Sequence, residues 1–550
     1  MLRFPSSFDR LARCPWCAVA LVGLLAAGGG AGFAWFIKPP VPWVHDEFSY
    51  LLAADTFAHG RLTNPPHPMR MHFESFHIIT EPTYASKYPP AQGMFLAAGQ
   101  KLAGHPLAGV WLSVGLAAAA ITWMLQAWLP PRWALVGGLV AALRMTIPDA
   151  EANVFTTIGY WSRSYWGGAV AAIGGALVFG SLRRLVSQPK VSRTVGAFGT
   201  LRLCTLSVTL GVGLAILANS RPFEGLIVSL PVAVYLLVWL CGRNGPALRT
   251  SLVQIVLPLS VILTLAAAWI GYYNFRVTGD PFHMPFQVHE EQYRVAPLFL
   301  WQKPHPTLEY HHVVLRQFHT HDVPIGYERQ LTWPGLATET LRKLRQLIES
   351  HLGWLLVAPL VVLPWMLREC WLRFALLAAL ILIVTLLTET WFLPHYAAPM
   401  TTLIFLLAAT ALRGLNTVRI RGKHVGRVAV AGIVLASVAS WGLAFYDVKK
   451  QWWQFDSHYH WHRQRVNLEA DLARTGEKHL IIVRYAPDHN AEAEWVYNRA
   501  DIDSATVVWA REMDEEKNRK LRTYFANRKQ WLLTPDDAVV TLREYPSVAD

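Results

Sequence analysis

The sequence predicts an α-helical polytopic membrane protein that ends in a small α/β domain. Of its 550 residues, 53% are hydrophobic and only 16% are charged, and apolar runs recur along residues 1–446. These runs are about 20 residues long, the length that crosses the hydrocarbon core as a helix. Residues 447–550 lack such runs, so we expect a membrane domain over 1–446 and a separate domain over 447–550.

About eleven transmembrane helices are predicted from these runs. The first run is longer than the apolar part of a signal peptide, which indicates an uncleaved span. With a cytoplasmic N-terminus, Arg and Lys fall in every cytoplasmic loop, as the positive-inside rule requires. This orientation predicts an integral protein of the plasma (inner) membrane, with the large loops 38–106 and 273–351 and the C-terminal domain outside the cytoplasm. The predicted spans are 15–37, 107–129, 131–148, 164–182, 203–219, 223–241, 252–272, 352–367, 374–391, 396–413 and 428–446.

Strands and helices alternate in the predicted extracytoplasmic C-terminal domain. The segments KHLIIVRYA, TVVWA, KQWLLT and AVVTLREY read as strands bounded by polar turns. RQRVNLEADLAR and DEEKNRKLRTYFANR have the apolar spacing of helices. In the loop 273–351, leucines near 336–348 mark one side of a further helix, with Arg342, Lys343 and Arg345 on the rest, which indicates a helix on the membrane surface.

The basic character of the chain belongs to its membrane part. The net charge of +13 comes from 50 basic and 37 acidic residues, but from Asp447 onward 16 Lys and Arg oppose 18 Asp and Glu. The excess therefore lies in loops between spans, and we predict no nucleic-acid partner. Five cysteines are too few for a disulfide framework, and Cys14-Pro-Trp-Cys17 opens a hydrophobic segment, which favours small apolar side chains over a redox pair.

Unusual residues concentrate in the predicted outer loops and turns. The first loop opens with Asp46 and Glu47 and later carries SKYPPAQG, which contains Lys87 and Tyr88. Three other turns read TIPDAEAN, NSRPFEG and TWFLPHYAAP, and they supply Asp149, Glu151, Arg221, His395 and Tyr396. Each comes from a different connection, yet all would meet the same membrane face.

In this arrangement the chain resembles the GT-C fold glycosyltransferases, in particular the protein O-mannosyltransferases and the lipid A aminoarabinose transferases. Asp46 and Glu47 stand where that family has an acidic pair at the start of its first external loop. The family's basic residue before a proline pair is matched by Lys87, Tyr88, Pro89 and Pro90, and its external carboxylate after the third span by Asp149 and Glu151. The resemblance extends over residues 10–415. It implies a GT-C membrane domain that transfers a hexosyl or pentosyl group from a polyprenyl-phosphate sugar.

The chemistry of sugar transfer outside the cytoplasm agrees with the resemblance. Nucleotide sugars are cytoplasmic, so an external transfer needs a donor carried through the bilayer, such as a polyprenyl-phosphate sugar. The attacking hydroxyl needs a carboxylate to take its proton, and the departing phosphate needs cations or hydrogen-bond donors. A single displacement with one base inverts the anomeric centre. We therefore predict that Asp46 and Glu47 are catalytic, that Lys87, Tyr88, Arg221, His395 and Tyr396 bind the donor phosphate, and that Asp149 and Glu151 orient the acceptor.

Each of these residues also has a simpler interpretation. Asp46 can cap the helix that begins near Phe48, and Glu47 can serve only to tune or orient its neighbour. Lys87 can be an interfacial lysine and Tyr396 part of an aromatic belt. Arg221 can mark a membrane interface, and the carboxylates near 150 can simply end a span.

Partners and alternative functions follow from the same residues. We predict a polyprenyl-phosphate sugar as donor, a lipid, glycan or protein as acceptor, contact with membrane lipids, and no required cofactor or metal. The Asp-Glu pair, or the alternate histidines His458, His460 and His462, leaves a divalent metal possible. A transporter or flippase of a lipid-linked saccharide would place charges inside its spans, but here few charges interrupt the apolar runs, of which Arg144 is the clearest case. A noncatalytic scaffold would bind a partner through residues 447–550.

Overall fold

The computed structural model describes residues 6–37, 39–147, 160–187, 197–243, 245–306, 308–454 and 461–546. The chain forms two compact units. The helical unit comprises Met1–Pro39, Leu107–Ile270 and Trp333–Trp452. The sheet unit comprises Pro40–Pro106, Gly271–Thr332 and Trp453–Asp550. In this division, residues 40–106 and 271–332 group with the residues from 453 onward.

The polytopic membrane architecture is confirmed. Among the described residues, nine helices are long and apolar enough to cross a membrane, or ten if a bent pair counts as one span. The nine are Pro15–Phe36, Leu107–Trp128, Gly168–Val186, Gly199–Ser220, Pro222–Cys241, Leu248–Thr278, Cys370–Leu387, Pro394–Leu415 and Val425–Tyr446.

Two of the eleven predicted spans have a different form. The helix Pro131–Met145 has 15 residues, which at about 1.5 Å per residue is shorter than the hydrocarbon core. The predicted span 352–367 is the second part of the bent pair, Trp333–His351 and Trp354–Met366, whose axes differ by 96°. Neither irregularity changes the apolar composition, so hydropathy alone does not reveal them.

The bend between these two helices contains a glycine and an arginine from another helix. Gly353 has a φ of 66°, the left-handed region that favours glycine. The Arg144 guanidinium donates to the carbonyl oxygens of His351, at 3.4 Å, and Glu349, at 2.5 Å. Arg144 therefore satisfies carbonyl groups that the end of the helix Trp333–His351 leaves without helical partners.

The remaining helices are shorter. They are Ser6–Arg13, His45–Ala58, Pro90–Ala103, Pro131–Met145, Tyr160–Arg163, Pro285–Tyr293, Val313–Gln317, Val323–Gln330, Trp354–Val357, Leu363–Met366, Trp461–Ala473 and Glu515–Tyr524, with short 3₁₀ or π turns at Arg70–Phe73, Ser251–Val256, Phe318–Asp322, Ala358–Val362 and Pro394–Met400.

Cys14 and Cys17 form a disulfide, unlike the two separate apolar side chains expected. The predicted surface helix is present as Trp333–His351, but Lys343 is buried and donates to the carbonyl oxygens of Leu387 and Glu389.

Two small sheets lie in the sheet unit. Strands β1 (Ile78–Ile79) and β2 (Ala85–Ser86) are antiparallel. Strands β3 (His479–Val483), β4 (Val507–Arg511), β5 (Lys529–Thr534) and β6 (Thr541–Glu544) form a sheet of order β4-β3-β5-β6, in which β6 alone is antiparallel to its neighbour. His479 pairs with both Val507 and Lys529. Every residue of β3 and β4 is buried, which is typical of parallel strands covered on both faces. All four predicted strands are confirmed.

A buried arginine of β4 connects the first loop to this sheet. Arg511, the last residue of β4, pairs with Glu494, and both side chains are almost completely buried. Arg511 Nε also donates to the backbone oxygen of Glu74, at 2.7 Å, and His72 Nδ1 lies 2.8 Å from the backbone oxygen of Arg511. The ion pair holds the Arg511 guanidinium in place, and the hydrogen bonds at Glu74 and His72 connect the loop 40–106 to β4.

Candidate active site

Asp46 lies in the first turn of the helix His45–Ala58. Its Oδ1 accepts a hydrogen bond from the Tyr88 hydroxyl, and its Oδ2 lies 4.0 Å from His77 Nε2. The side chain keeps 15% of its surface exposed. The positive end of the helix dipole favours a carboxylate at this position, so Asp46 is held as an oriented anion with access to solvent.

Glu47 is bound to the backbone that enters the same helix. Its side chain is buried, and Oε2 accepts the backbone N–H groups of Trp43, at 3.0 Å, and Val44, at 3.3 Å. These N–H groups lie at a helix N-terminus, where helical hydrogen bonds are not available. The structure thus places Glu47 where it orients the turn that carries Asp46.

Tyr88 and Lys87 follow strand β2 and precede the helix Pro90–Ala103, which has a proline at its first position. The Tyr88 ring stacks on Tyr50 with centroids 4.5 Å apart. Lys87 is buried, and its Nζ lies 3.8 Å from Glu290 Oε1 and 5.3 Å from the Phe286 ring centroid. Burial lowers the pKa of Lys87, while Glu290 and Asp46 act against that shift.

Three residues near Lys87 were missed from the sequence. Glu290 also binds Arg294; burial alone would raise the pKa of Glu290, but Arg294 and Lys87 hold it well below its usual range. Burial lowers the pKa of His289 to about 4, and Lys87 adds to the shift. Burial likewise holds the pKa of His77 well below its usual range, so both imidazoles are neutral near pH 7. The segment VHEEQY contains His289 and Glu290, but nothing in its spacing relates it to Lys87.

His77 has an unusual backbone conformation. Its φ is 61°, which is uncommon for a residue with a side chain. Its carbonyl oxygen accepts from Ser49 Oγ, at 2.6 Å, and from the backbone N–H of Lys87, at 3.3 Å. These hydrogen bonds hold the imidazole beside Asp46.

Glu492, in the C-terminal segment, was also missed. Part of its side chain is exposed. The burial of the rest, and next the negative charges of Asp46 and Asp322, raise its pKa to about 7. The preceding residue, Ala491, is bound to His45, which precedes Asp46. The structure therefore brings a second carboxyl group near Asp46 from the far end of the chain.

The other predicted phosphate ligands lie in the helical unit. Arg221 Nη1 lies 3.3 Å from Glu224 Oε1, and its guanidinium lies 4.4 Å from the Tyr396 ring centroid. His395 is buried, and its ring stacks on Trp166 with centroids 4.9 Å apart. Close packing sets this turn, because a methyl group on Gly175 would lie 1.9 Å from the Pro399 carbonyl oxygen. Arg221, His395 and Tyr396 thus form one group.

Two predicted residues and part of the proposed histidine motif fall elsewhere. Asp149 and Glu151, and likewise His458 and His460, lie outside the described residues. Within the part of the chain that the structure describes, no group of three or more His, Cys, Asp or Glu side chains is placed to hold a metal ion. The roles predicted for all these residues stay predictions.

Solved structures with a similar fold are membrane glycosyltransferases. The Archaeoglobus fulgidus oligosaccharyltransferase, tethered to an acceptor peptide with an NVT sequon, is 11% identical over 96% of this chain and 70% of its own, with a TM-score of 0.52. The archaeal oligosaccharyltransferase AglB from the same organism, in complex with an inhibitory peptide and a dolichol-phosphate, gives 11% identity, 94% and 69% coverage, and a TM-score of 0.50. ArnT from Cupriavidus metallidurans is 13% identical over 97% of this chain and 94% of its own, with a TM-score of 0.49. The chain has the GT-C fold.

No protein-family model matches the sequence, and no curated protein matches it at a significant level. At 11% identity the GT-C fold is shared without close sequence similarity. The predicted fold class is confirmed, and function has to be argued from the residues at the site. In the sheet unit these are Asp46, the residues that hold it, and the buried cation Lys87.

Proposed function

We propose that the protein transfers a glycosyl group from a polyprenyl-phosphate-linked donor to an acceptor hydroxyl on the extracytoplasmic face of the membrane. One observation carries the proposal. On a GT-C fold, Asp46 lies at a helix N-terminus with Tyr88 on one carboxylate oxygen and His77 near the other. This is an oriented carboxylate of the kind that general-base catalysis requires.

In the proposed reaction, Asp46 accepts the proton of the acceptor hydroxyl as its oxygen attacks the anomeric carbon. The bond between that carbon and the phosphate oxygen breaks, and its electron pair leaves with the polyprenyl phosphate. The reaction is a single displacement, so the anomeric configuration inverts. The proton then passes from Asp46 to solvent, through the exposed part of its carboxylate.

Charge stabilisation of the leaving phosphate is the proposed role of Lys87. Its burial strengthens an electrostatic contact with a phosphate, and Glu290 balances the ammonium until the donor binds. Arg221, His395 and Tyr396 are proposed as further donor contacts, and Asp149 and Glu151 as acceptor contacts. Bound dolichol-phosphate and peptide in the archaeal oligosaccharyltransferase structures support a lipid-phosphate donor and a separate acceptor.

The test is donor consumption by the purified protein. The protein is incubated with a panel of undecaprenyl-phosphate hexoses and pentoses, and mass spectrometry follows each donor. We expect wild-type protein to consume at least one of them and Asp46→Asn to lose turnover while its membrane insertion and thermal stability stay unchanged. Asp471→Asn, at a carboxylate with 66% of its side chain exposed, is the control and should retain turnover.

The outcomes separate this function from its alternatives. Near-normal turnover by Asp46→Asn would show that Asp46 is not the base. Donor binding by the wild-type protein without consumption of any sugar would instead favour transport of the lipid-linked saccharide.

A further inference from the structure

The helix that carries Asp46 is held along its length by the C-terminal segment of the sheet unit. The helix makes three such contacts. His45, its first residue, is bound to Ala491, Phe48 in its first turn packs on Tyr497, and Asp55 near its end is bound to Ala500. All three partners lie between residues 491 and 500, in the connection between β3 and β4. This connection is longer than a link between adjacent parallel strands needs to be, so its contacts call for an explanation.

His45 makes the contact nearest to the base. Its Nε2 lies 3.0 Å from the Ala491 carbonyl oxygen, and because a carbonyl only accepts, Nε2 carries the hydrogen and donates it. The ring stacks on Phe76, with centroids 4.1 Å apart and planes 6° from parallel. Burial lowers the pKa of His45 to about 3, so the imidazole is neutral at physiological pH. It is oriented and shielded from substrate.

Two further contacts join the same helix to the connection between β3 and β4. The Phe48 ring stacks on Tyr497 with centroids 3.9 Å apart. The backbone N–H of Ala500 donates to Asp55 Oδ2, at 2.9 Å. Phe48 and Leu52 also share one buried apolar cluster with Leu480 and Ile482 of β3 and with Val508 of β4. One face of the helix is therefore packed on the sheet, while Asp46 faces Tyr88 and His77.

We propose that the C-terminal sheet is part of the catalytic apparatus and that His45 is its positioning residue, which sets the place of Asp46 through the hydrogen bond to Ala491. The inference rests on the proposed function, with Asp46 as the base. It assigns the C-terminal residues a role in turnover, in place of the binding of a separate partner protein.

The expected effect follows from the sensitivity of proton transfer to geometry. A displacement of a reacting group by about 1 Å can lower the rate about 100-fold. The donor phosphate is assigned to other side chains, so loss of the His45 hydrogen bond should lower kcat and leave KM for the donor unchanged. A role confined to folding would instead lower the amount of active protein and its thermal stability.

Two substitutions at His45 separate these effects. His45→Phe keeps the ring that stacks on Phe76 but lacks the donor, whereas His45→Gln keeps an N–H donor that reaches a similar position. We expect His45→Phe to lower kcat for consumption of the undecaprenyl-phosphate sugar by about 10- to 100-fold, with KM unchanged, and His45→Gln to recover to within about 3-fold of wild type. His305→Phe is the control, since His305 lies in the same unit with an exposed side chain.

Several results would overturn the inference. Wild-type kcat in His45→Phe, a rise in KM alone, or equal losses in the Phe and Gln variants would each exclude a positioning role. If His45→Phe fails to fold, Asp55→Ala removes the contact between the other end of the helix and Ala500. An unchanged kcat in that variant would also overturn the inference. Failure of the proposed function is read separately, because it would appear as turnover in Asp46→Asn.

Discussion

Lys87 in the sheet unit and Arg221 in the helical unit have similar surroundings. The Lys87 ammonium lies 3.8 Å from Glu290 and 5.4 Å from the Tyr88 ring centroid. The Arg221 guanidinium lies 3.3 Å from Glu224 and 4.4 Å from the Tyr396 ring centroid. Each cation thus lies near a carboxylate and at least one aromatic ring, which compensates its charge within its own unit.

The two sites differ in what adjoins the cation. The residue after Lys87 is Tyr88, whose hydroxyl binds Asp46, and two neutral histidines lie close by. Next to Arg221, Glu224 is engaged by the arginine itself, and His395 packs against Trp166. The sheet unit therefore holds both the proposed base and a cation, whereas the residues described around Arg221 are suited to charge stabilisation alone. Substitutions at the two sites should separate these roles.

The largest of these effects is expected at Lys87. Lys87→Met removes the charge but keeps the length of the side chain, and it leaves Glu290 with Arg294 as its cation. We expect kcat/KM for the donor to fall by about 100-fold or more, since loss of one transition-state donor commonly costs that much. Steady-state kinetics by mass spectrometry checks this, with Lys101→Met, at an exposed lysine of the same unit, as the control. Retained activity would remove Lys87 from the site.

At Arg221 a smaller effect is expected. Arg221→Gln removes a charge that Glu224 partly neutralises, so we expect KM for the donor to rise by about 10-fold and kcat to change little. Arg249→Gln, at an exposed arginine of the helical unit, is the control. A loss of kcat as large as that of Lys87→Met would show that the two cations have the same role.

Tyr88 tests the connection between base and cation. Tyr88→Phe removes the hydrogen bond to Asp46 but keeps the ring on Tyr50 and near Lys87. We expect kcat to fall by about 10-fold with KM unchanged, because the carboxylate loses a donor that orients it. Tyr272→Phe, at an exposed tyrosine, serves as the control. A rise in KM would indicate that Tyr88 acts on the donor instead.

The smallest effect is a change of pH dependence. Glu492 has a pKa of about 7, so it is neutral below that pH and negative above it. When Glu492 is negative it attracts the proton that moves from the acceptor toward Asp46, so wild-type turnover should rise roughly threefold as the pH passes 7. Glu492→Gln should lose this step, while Asp488→Asn, at an exposed carboxylate of the same segment, should keep it. An unchanged profile in Glu492→Gln would separate Glu492 from the base.

Local patterns in the sequence were sufficient for the elements but not for their assembly. The four strands of the C-terminal sheet and most spans were predicted, because β-branched runs and apolar length report on local structure. Asp46, Lys87 and Tyr88 could be selected because they lie in a predicted outer loop and match short motifs of the GT-C glycosyltransferases. Their assembly with Glu290 and Glu492 could not, since residues 200 or more positions apart share no local period.

The burial of Lys343 is another feature that local sequence patterns did not predict. The spacing of leucines correctly predicted the helix Trp333–His351, but a lysine on its polar side was expected at the membrane surface. In the structure its ammonium donates to the carbonyl oxygens where the helix Cys370–Leu387 ends. Unfilled carbonyl groups at a helix end are a tertiary feature, so a single sequence gives no sign of them.

Arg144 makes the bend at Gly353 a fixed corner and not a hinge. A side chain on Gly353 would meet the Arg144 guanidinium at 2.9 Å, so arginine and glycine leave no free space between them. Straightening the two helices would strip the guanidinium of two carbonyl acceptors in an apolar setting, at a cost of several kcal/mol. This charge inside the predicted span 131–148 thus holds the backbone in place, and an alternating-access movement through this corner is disfavoured.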